Sequence, residues 1–297
     1  MKYFLLLPLK LVVRLSRRIK NSWHMTMAKR IWRRAGTSPE FLDDSQLIKL
    51  DAEYPTKSSY KYDTASLQQR GQERAGKLLE RFRAQKLTPK KTLEVGCFDG
   101  MVSAALTKSG VEAHAIDQTA DGFDARAKEA GVMLQAADAA HIPYTDNTFD
   151  VVFSYDTFEH LQQPAQSLTE MLRVLRPGGL LYAYFGPMYM APFGLHAYKT
   201  IGIPYVQHLF PQEITDRFLQ SKNREAINYA QLNKVKRSAF EKLFRSENGF
   251  QVLEFTEEPH FAGYSILKQY SSCLKSKSSD LKDFVIANIS VMLRKNS

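Results

Sequence analysis

The sequence predicts an α/β protein built on a mostly parallel sheet with helical crossovers. Three observations carry that expectation. Short β-branched or apolar runs alternate with helical patterns through the middle of the 297-residue chain. One of these runs, FDVVFS (149–154), is almost wholly apolar, as befits a strand covered on both faces. Polar residues gather at the carboxyl ends of the runs, where open parallel sheets bind their ligands.

Taken from the N-terminus, residues 1–35 read as a basic amphipathic segment. Residues 1–34 hold ten Lys or Arg and no acid, so the remaining 31 basic residues balance all 31 acidic ones. The net charge of +10 therefore belongs to the leader and not to a nucleic-acid groove, and nucleic acid is not expected as a partner. The apolar run Tyr3–Leu9 is too short to span a bilayer, and no small-residue cleavage site follows it. On a helix Leu9, Val12, Leu15, Ile19 and Trp23 share one face, opposite Lys10, Arg14, Arg17 and Arg18. That pattern suits a helix lying on an anionic membrane surface, and it also suits a helix packed on protein. The expected location is cytoplasmic, peripheral on the inner face of a membrane. Two cysteines, Cys97 and Cys273, with no CxxC, give no disulfide framework and fit a reducing compartment.

Residues 36–297 read as one domain. From Phe41 to Tyr62 the chain is polar, with Pro55, and is expected to be a linker or docking segment. Asp63 is placed to cap a helix reaching about Phe82. TLEV (92–95) reads as a buried strand and Met101–Lys108 as a helix stopped by Gly110. Then come a strand at 114–117, a helix at 121–130 and a strand at 132–135. After FDVVFS, Pro164 opens a helix that Gly178 and Gly179 end, and LLYAYF (180–185) is the next strand. Two further strands are expected at 250–257 and 283–293. Residues 187–232 break the alternation; rich in Pro, Gly, aromatics and Met, they read as a lid-like substrate insert. Its His196, Tyr205 and His208 are the substrate-contact candidates.

The chemistry concentrates after the strands of a cofactor core at about 63–186. Glu94 and Gly96 close the first strand, and a glycine-bearing turn to Gly100 lets backbone approach a ligand at a helix N-terminus. Asp117 lies 21 residues beyond Gly96, the distance at which an acidic side chain accepts from both ribose hydroxyls. Asp138 follows the third strand, in reach of an exocyclic adenine amine, and Ser154 ends the fourth. A dinucleotide oxidoreductase is disfavoured because the GxGxxG spacing is absent.

LEVGCFDG, AIDQT, AADAAHIPYTDNTFDVVFSYDTFEHL and LRVLRPGGLLYAYF together resemble the class I S-adenosylmethionine-dependent methyltransferases, in the group around the ubiquinone and menaquinone methyltransferases. The resemblance implies a doubly wound, Rossmann-like, seven-stranded sheet with its last strand antiparallel, and S-adenosyl-L-methionine as cofactor. It implies that Glu94, Gly96, Cys97 and Gly100 shape the methionine pocket, that Asp117 with Gln118 holds the ribose, that Asp138 with Ala139 reads the adenine, and that Ser154 lines the site. Phe98 departs from the pattern, which usually has glycine there; its side chain must crowd the methionyl end or turn away. Asp156, Glu159 and His160 resemble the metal-binding E-x-x-E-H run of the ubiquinone-pathway O-methyltransferases. On a helix they would share one face fit for a divalent ion such as Mg²⁺. His160 is alternatively a general base. The expected reaction is methyl transfer to a small-molecule or lipid-like acceptor, at oxygen, with a non-catalytic scaffold, or transfer to carbon or nitrogen, as the alternatives.

Overall fold

The computed structural model describes residues 9–56, 62–246 and 249–297, with side chains from Ile19 onward. In chain order the first helices are α1 (Leu9–Arg34), α2 (Asp44–Glu53) and α3 (Thr64–Ala84). The alternating part runs β1 (Lys91–Val95), α4 (Met101–Thr107), β2 (Glu112–Asp117), α5 (Ala125–Glu129), β3 (Met133–Ala136), β4 (Phe149–Tyr155), α6 (Pro164–Val174) and β5 (Leu175–Phe185). Then follow α7 (Val206–Leu209), α8 (Gln212–Ser221), α9 (Arg237–Arg245) and β6 (Phe250–Pro259). The chain finishes with α10 (Tyr264–Gln269), α11 (Ser271–Lys275), α12 (Leu281–Val285) and β7 (Ile286–Lys295).

The seven strands form one sheet in the order β3-β2-β1-β4-β5-β7-β6. β1 pairs in parallel with β2 and β4, β2 with β3, and β4 with β5, whereas β7, the last strand, runs antiparallel to β5. This is the expected α/β class, with the chain reversing direction in strand order beside β1. The chain divides into two compact units. Unit 1 comprises residues 1–57, 190–227 and 259–287; unit 2 comprises 58–189, 228–258 and 288–297 and holds nearly all of the sheet.

In unit 2, Leu78 and Phe82 of α3, Val102 and Leu106 of α4, and Val151, Phe153, Leu180 and Tyr182 of the central strands form one core layer. Cys97, Met101, Ala104, Ala115, Ala127 and Val132 form another. Asp63 caps α3 as expected, accepting from the Ser66 amide at 3.0 Å. Helix α3 lies against the start of α4: a Cβ on Gly71 would come within 2.5 Å of the Met101 carbonyl oxygen. Only glycine fits there.

Apart from the ends of β6 and β7, the regular secondary structure of unit 1 is helical, joined by longer turns such as residues 190–205. The segment expected as a linker contains α2, capped by Asp43 and anchored by the fully buried Leu47 and Leu50; its two leucines, three residues apart, outweigh the surrounding polarity. The second half of α1 packs on α10, α11 and α12, burying Ala28 and Trp32. Trp32 Nε1 donates to the Ser279 carbonyl at 2.9 Å, and Lys275 Nζ caps the end of α1 by donating to the carbonyls of Trp32 and Ala35 at 2.9 and 2.7 Å. Arg224 makes a bidentate pair with Asp51 at 2.6 and 2.8 Å. The strand expected at 283–293 starts later, because Asp280 caps α12 first and the extended backbone begins at Ile286. The helix expected at 121–130 is shorter for a similar reason: Asp124 is the residue that caps it.

Candidate functional site: the carboxyl ends of β1, β2 and β4

The candidate site lies within unit 2, where β1, β2 and β4 end side by side. β1 runs into Gly96, whose φ of +75° only glycine adopts without strain, and a Cβ there would collide with the Thr157 side chain at 2.2–2.8 Å. Gly100, at φ +71°, forms the N-cap of α4; a Cβ on it would lie 2.9 Å from the Leu134 side chain. The turn between these glycines is pinned to β2 by its amides: Gly96 and Cys97 both donate to the Ile116 carbonyl, at 2.9 and 3.1 Å.

Asp117 ends β2, and its carboxylate accepts the Phe98 amide at 2.8 Å and the Gln118 amide at 2.8 Å. The β1–α4 turn and the acid after β2 are thereby one hydrogen-bonded assembly. Gln118 itself is exposed. Asp138 follows β3 with its side chain mostly exposed, accepting the Ala140 amide at 2.8 Å across the half-buried Ala139. Ser154, on β4, is 1% exposed, and its hydroxyl has no hydrogen-bond partner among the described residues. Such an orphan donor beside a glycine cradle is a place for a ligand atom.

Glu94 is fully buried and braces β1 to α4: Oε2 accepts the Ser103 hydroxyl at 2.6 Å and its amide at 3.2 Å. Burial pushes its pKa up to about 8 against the lowering by Ser103. Cys97 packs its thiol among Met101, Ala104 and Ala115, and burial pushes that thiol up, so it offers the site its backbone only.

Sequence reasoning offered Arg70 and Tyr62 as contacts for the cofactor carboxylate but passed over Arg74, Asp99 and Thr157, which the structure also brings here. Arg74 of α3 pairs with Asp156 and lies 4.5 Å over the Tyr155 ring. Arg70, one turn earlier, faces Asp99 at 3.7 Å and the Tyr62 ring at 6.0 Å. Asp99 accepts the Met101 amide at 2.8 Å, and burial raises its pKa. The signal was the four-residue spacing of Arg70 and Arg74, which puts two guanidinium groups on one face of α3. Thr157, which fills the space against Gly96, gave no signal.

The metal expectation for Asp156, Glu159 and His160 fails. Among the described residues no three His, Cys, Asp or Glu side chains converge as a metal site. Its premise was a helix, but residues 156–161 form turns, with Asp156 at φ +51°. The three side chains therefore diverge: Asp156 goes to Arg74, Glu159 accepts the Gly186 amide at 2.9 Å, and His160 Nδ1 lies 2.7 Å from the Gln231 carbonyl. Glu159 is fully buried, with Oε2 unpartnered among the described residues. Burial first, then the charge of Asp156, pushes its pKa up to about 8.

The substrate-contact candidates fall in unit 1. Tyr205 is 1% exposed and donates its hydroxyl to the Phe284 carbonyl at 2.9 Å, and His208 is buried against the Phe284 ring at 5.7 Å. Both are core residues of unit 1, because the tyrosine and the histidine one turn later face the same aromatic. His196 is half-buried at φ +56° and stacks on Tyr198 at 6.4 Å.

Residues 93–183 match the family model described as methyltransferase domain. Methyltransferase GfsG of Streptomyces halstedii is 33% identical over 99 residues, which is 31% of this chain and 36% of that protein. The probable methyltransferase ltbC of Aspergillus luteorubrus is 35% identical over 111 residues, 30% of this chain and 37% of its own length. The chain thus spans well under half the length of these curated relatives. A putative methyltransferase structure from Bacillus halodurans C-125 superimposes with a TM-score of 0.46 at 19% identity, covering 75% of this chain and all of that one. The matching stretch, residues 93–183, holds the turn from Gly96 to Gly100, Asp117, Asp138 and Ser154, and its likeness is to methyltransferase domains.

Proposed function

We propose that this chain transfers the methyl group of S-adenosyl-L-methionine to a hydroxyl oxygen of a small-molecule or lipid-like acceptor. The observation that carries the reading is the assembly in which Asp117, at the end of β2, holds the amide of Phe98 in the β1–α4 turn. It sets an acceptor-only carboxylate beside a glycine cradle, the arrangement that suits a ribose next to a charged amino-acid tail. Gly96 and Gly100 leave room for the methionyl chain, Asp117 serves the ribose, Asp138 and Ala139 serve the adenine, and the Ser154 hydroxyl supplies an unpaired donor. The cofactor supplies a methyl group already activated on a sulfonium, so the protein's task is alignment and removal of the acceptor proton.

His160 suits the proton-removing role. The Gln231 carbonyl can only accept, so the neutral ring carries its proton on Nδ1 and its lone pair on Nε2. Nucleic-acid amine acceptors are disfavoured because β4 closes on Ser154-Tyr155 and continues Asp156-Thr157, without the Asn/Asp-Pro-Pro-aromatic run that base-amino methyltransferases place there.

Calorimetric titration with S-adenosylmethionine tests the reading. The wild-type protein is expected to bind, and Asp117→Ala to bind about 1–3 kcal/mol more weakly, the cost of leaving buried hydroxyls unpaired. Unchanged affinity in the variant overturns the ribose assignment. No binding by the wild-type protein at saturating cofactor leaves a non-catalytic scaffold. A cell extract screened with cofactor labelled in its methyl group then identifies the acceptor class.

A further inference from the structure

Helix α1 has two faces with different fates. His24, Ala28 and Trp32 turn one face toward α10–α12, with Ala28 0% and Trp32 6% exposed and the His24 ring stacked on Phe261 at 5.1 Å. Ile19 and Trp23 lie on the other side of the helical wheel, centred about 160° away, and are 66% and 57% exposed, with the Trp23 ring centroid 6.3 Å from that of Tyr264. Leu9, Val12 and Leu15, the rest of the face expected from the sequence, lie outside the described side chains, and no acidic residue occurs before Glu40. Unit 1 holds 20 Lys or Arg against 10 Asp or Glu, while unit 2 holds 21 of each, so the whole net charge of +10 resides in unit 1. Among the described residues no helix is long and apolar enough to cross a membrane.

We infer that α1 docks unit 1 on an anionic lipid surface, with Ile19 and Trp23 entering the headgroup–acyl boundary. The helix is held from one side by its own unit and presents the other as an apolar strip flanked by Lys and Arg, the layout of a helix lying in an interface. Trp23 is the side chain of choice at that depth, with an apolar ring and one N–H for the headgroup region. This inference does not depend on methyl transfer.

The chain contains two tryptophans, and the other, Trp32, is buried and bonded to Ser279, which makes Trp23 a selective reporter. Full-length protein is to be mixed with vesicles of phosphatidylcholine, with and without phosphatidylserine. Serine-containing vesicles are expected to bind at least about tenfold more tightly, less so as salt rises, and to shift tryptophan emission to the blue with quenching by brominated acyl chains. Trp23→Phe should abolish the shift, and the double variant Ile19→Glu/Trp23→Glu should lose binding by about tenfold or more while melting as the wild type does, since both side chains are exposed. Removing residues 1–34 is the poorer test, because Ala28 and Trp32 are core. Pelleting retained in the double variant overturns the inference, as does equal binding to phosphatidylcholine alone. Serine-dependent binding without a blue shift, matched by binding to duplex DNA, would reveal a general polyanion contact and overturn it too.

Discussion

Unit 2 and unit 1 solve the same problem, a buried core, by different means. In unit 2 a sheet sets the frame, strands come into register with chain neighbours through crossover helices, and the basic and acidic residues cancel. In unit 1 three separated stretches meet as helices, and the joints are single long-range polar contacts at helix ends: Lys275 on the last carbonyls of α1, Trp32 on Ser279, Tyr205 on Phe284, Arg224 on Asp51. A sheet positions chemistry at its strand ends with backbone turns and paired charges, and so leaves the glycine turn as its weak point. A helical assembly leaves its surface free to carry a net charge. Its weak points are the places where chain segments far apart in sequence must touch.

The largest expected effects come from closing those two kinds of gap. Gly96→Ala in unit 2 forces a side chain to φ +75° and into Thr157, and Gly202→Ala in unit 1 sets a Cβ 2.3–2.4 Å from the carbonyl oxygens of Pro55 and Tyr54. Each should destabilise by about 3 kcal/mol or more, since a backbone must move in one case and a buried side chain in the other. Thermal melts followed by far-UV circular dichroism and by Trp32 emission distinguish the units. Gly96→Ala is expected to abolish S-adenosylmethionine binding with Trp32 still buried at low temperature, and Gly202→Ala to expose Trp32 first. If both variants move both signals together, the two units melt as one and the contrast between them is not energetic.

A smaller effect follows from the carboxyls that burial perturbs in unit 2. Glu94 and Glu159 are both pushed up to about 8 from 4.5. Between those values the native protein holds protons that the unfolded chain has released, so stability falls as pH rises from about 4.5 to 8 and levels off above it. Denaturant unfolding across that range should show the decline, and Glu159→Gln, which cannot ionise, should make it shallower. A slope unchanged in the variant would mean that Glu159 is ionised in the folded protein, against the burial that raises its pKa.

Most of unit 2 was legible because its signals are local. The strand at 92–95, the turn from Gly96 to Gly100 and Asp117 each declare themselves within a few residues, and the parallel sheet follows from their alternation. The arginines of α3 were harder, because Arg74 meets Asp156 across 82 positions of sequence. Asp156, Glu159 and His160 misled because helical spacing is informative only on a helix, and a left-handed residue at 156 breaks it. Unit 1 was largely illegible. Tyr205 and His208 look like substrate contacts in a segment rich in Pro and aromatics, yet they are core residues whose partner, Phe284, lies far along the chain. No local pattern announces such a contact.

The smallest expected effect sharpens what the turn in unit 2 requires. Phe98 stands where the methyltransferase resemblance leads one to expect glycine, and its φ of +48° shows why glycine suits the position. The ring does not enter the turn. It is 53% exposed, lies over Gly122, where a Cβ would come 2.8 Å from it, and meets the Tyr62 ring edge-on at 6.0 Å. The amide, not the side chain, serves the position by donating to Asp117, and glycine would keep that amide. Phe98→Gly relieves a left-handed backbone worth about 1–2 kcal/mol and adds about 0.5–1 kcal/mol of unfolded-chain entropy, so the net change in stability should stay within about 1 kcal/mol. Affinity for S-adenosylmethionine should then change by less than about threefold, well short of the loss in Asp117→Ala. Calorimetry on the two variants side by side decides it. A loss in Phe98→Gly as large as that in Asp117→Ala would show that the ring and Tyr62 close over the bound cofactor, and that unit 2, too, depends on a contact its local sequence pattern does not announce.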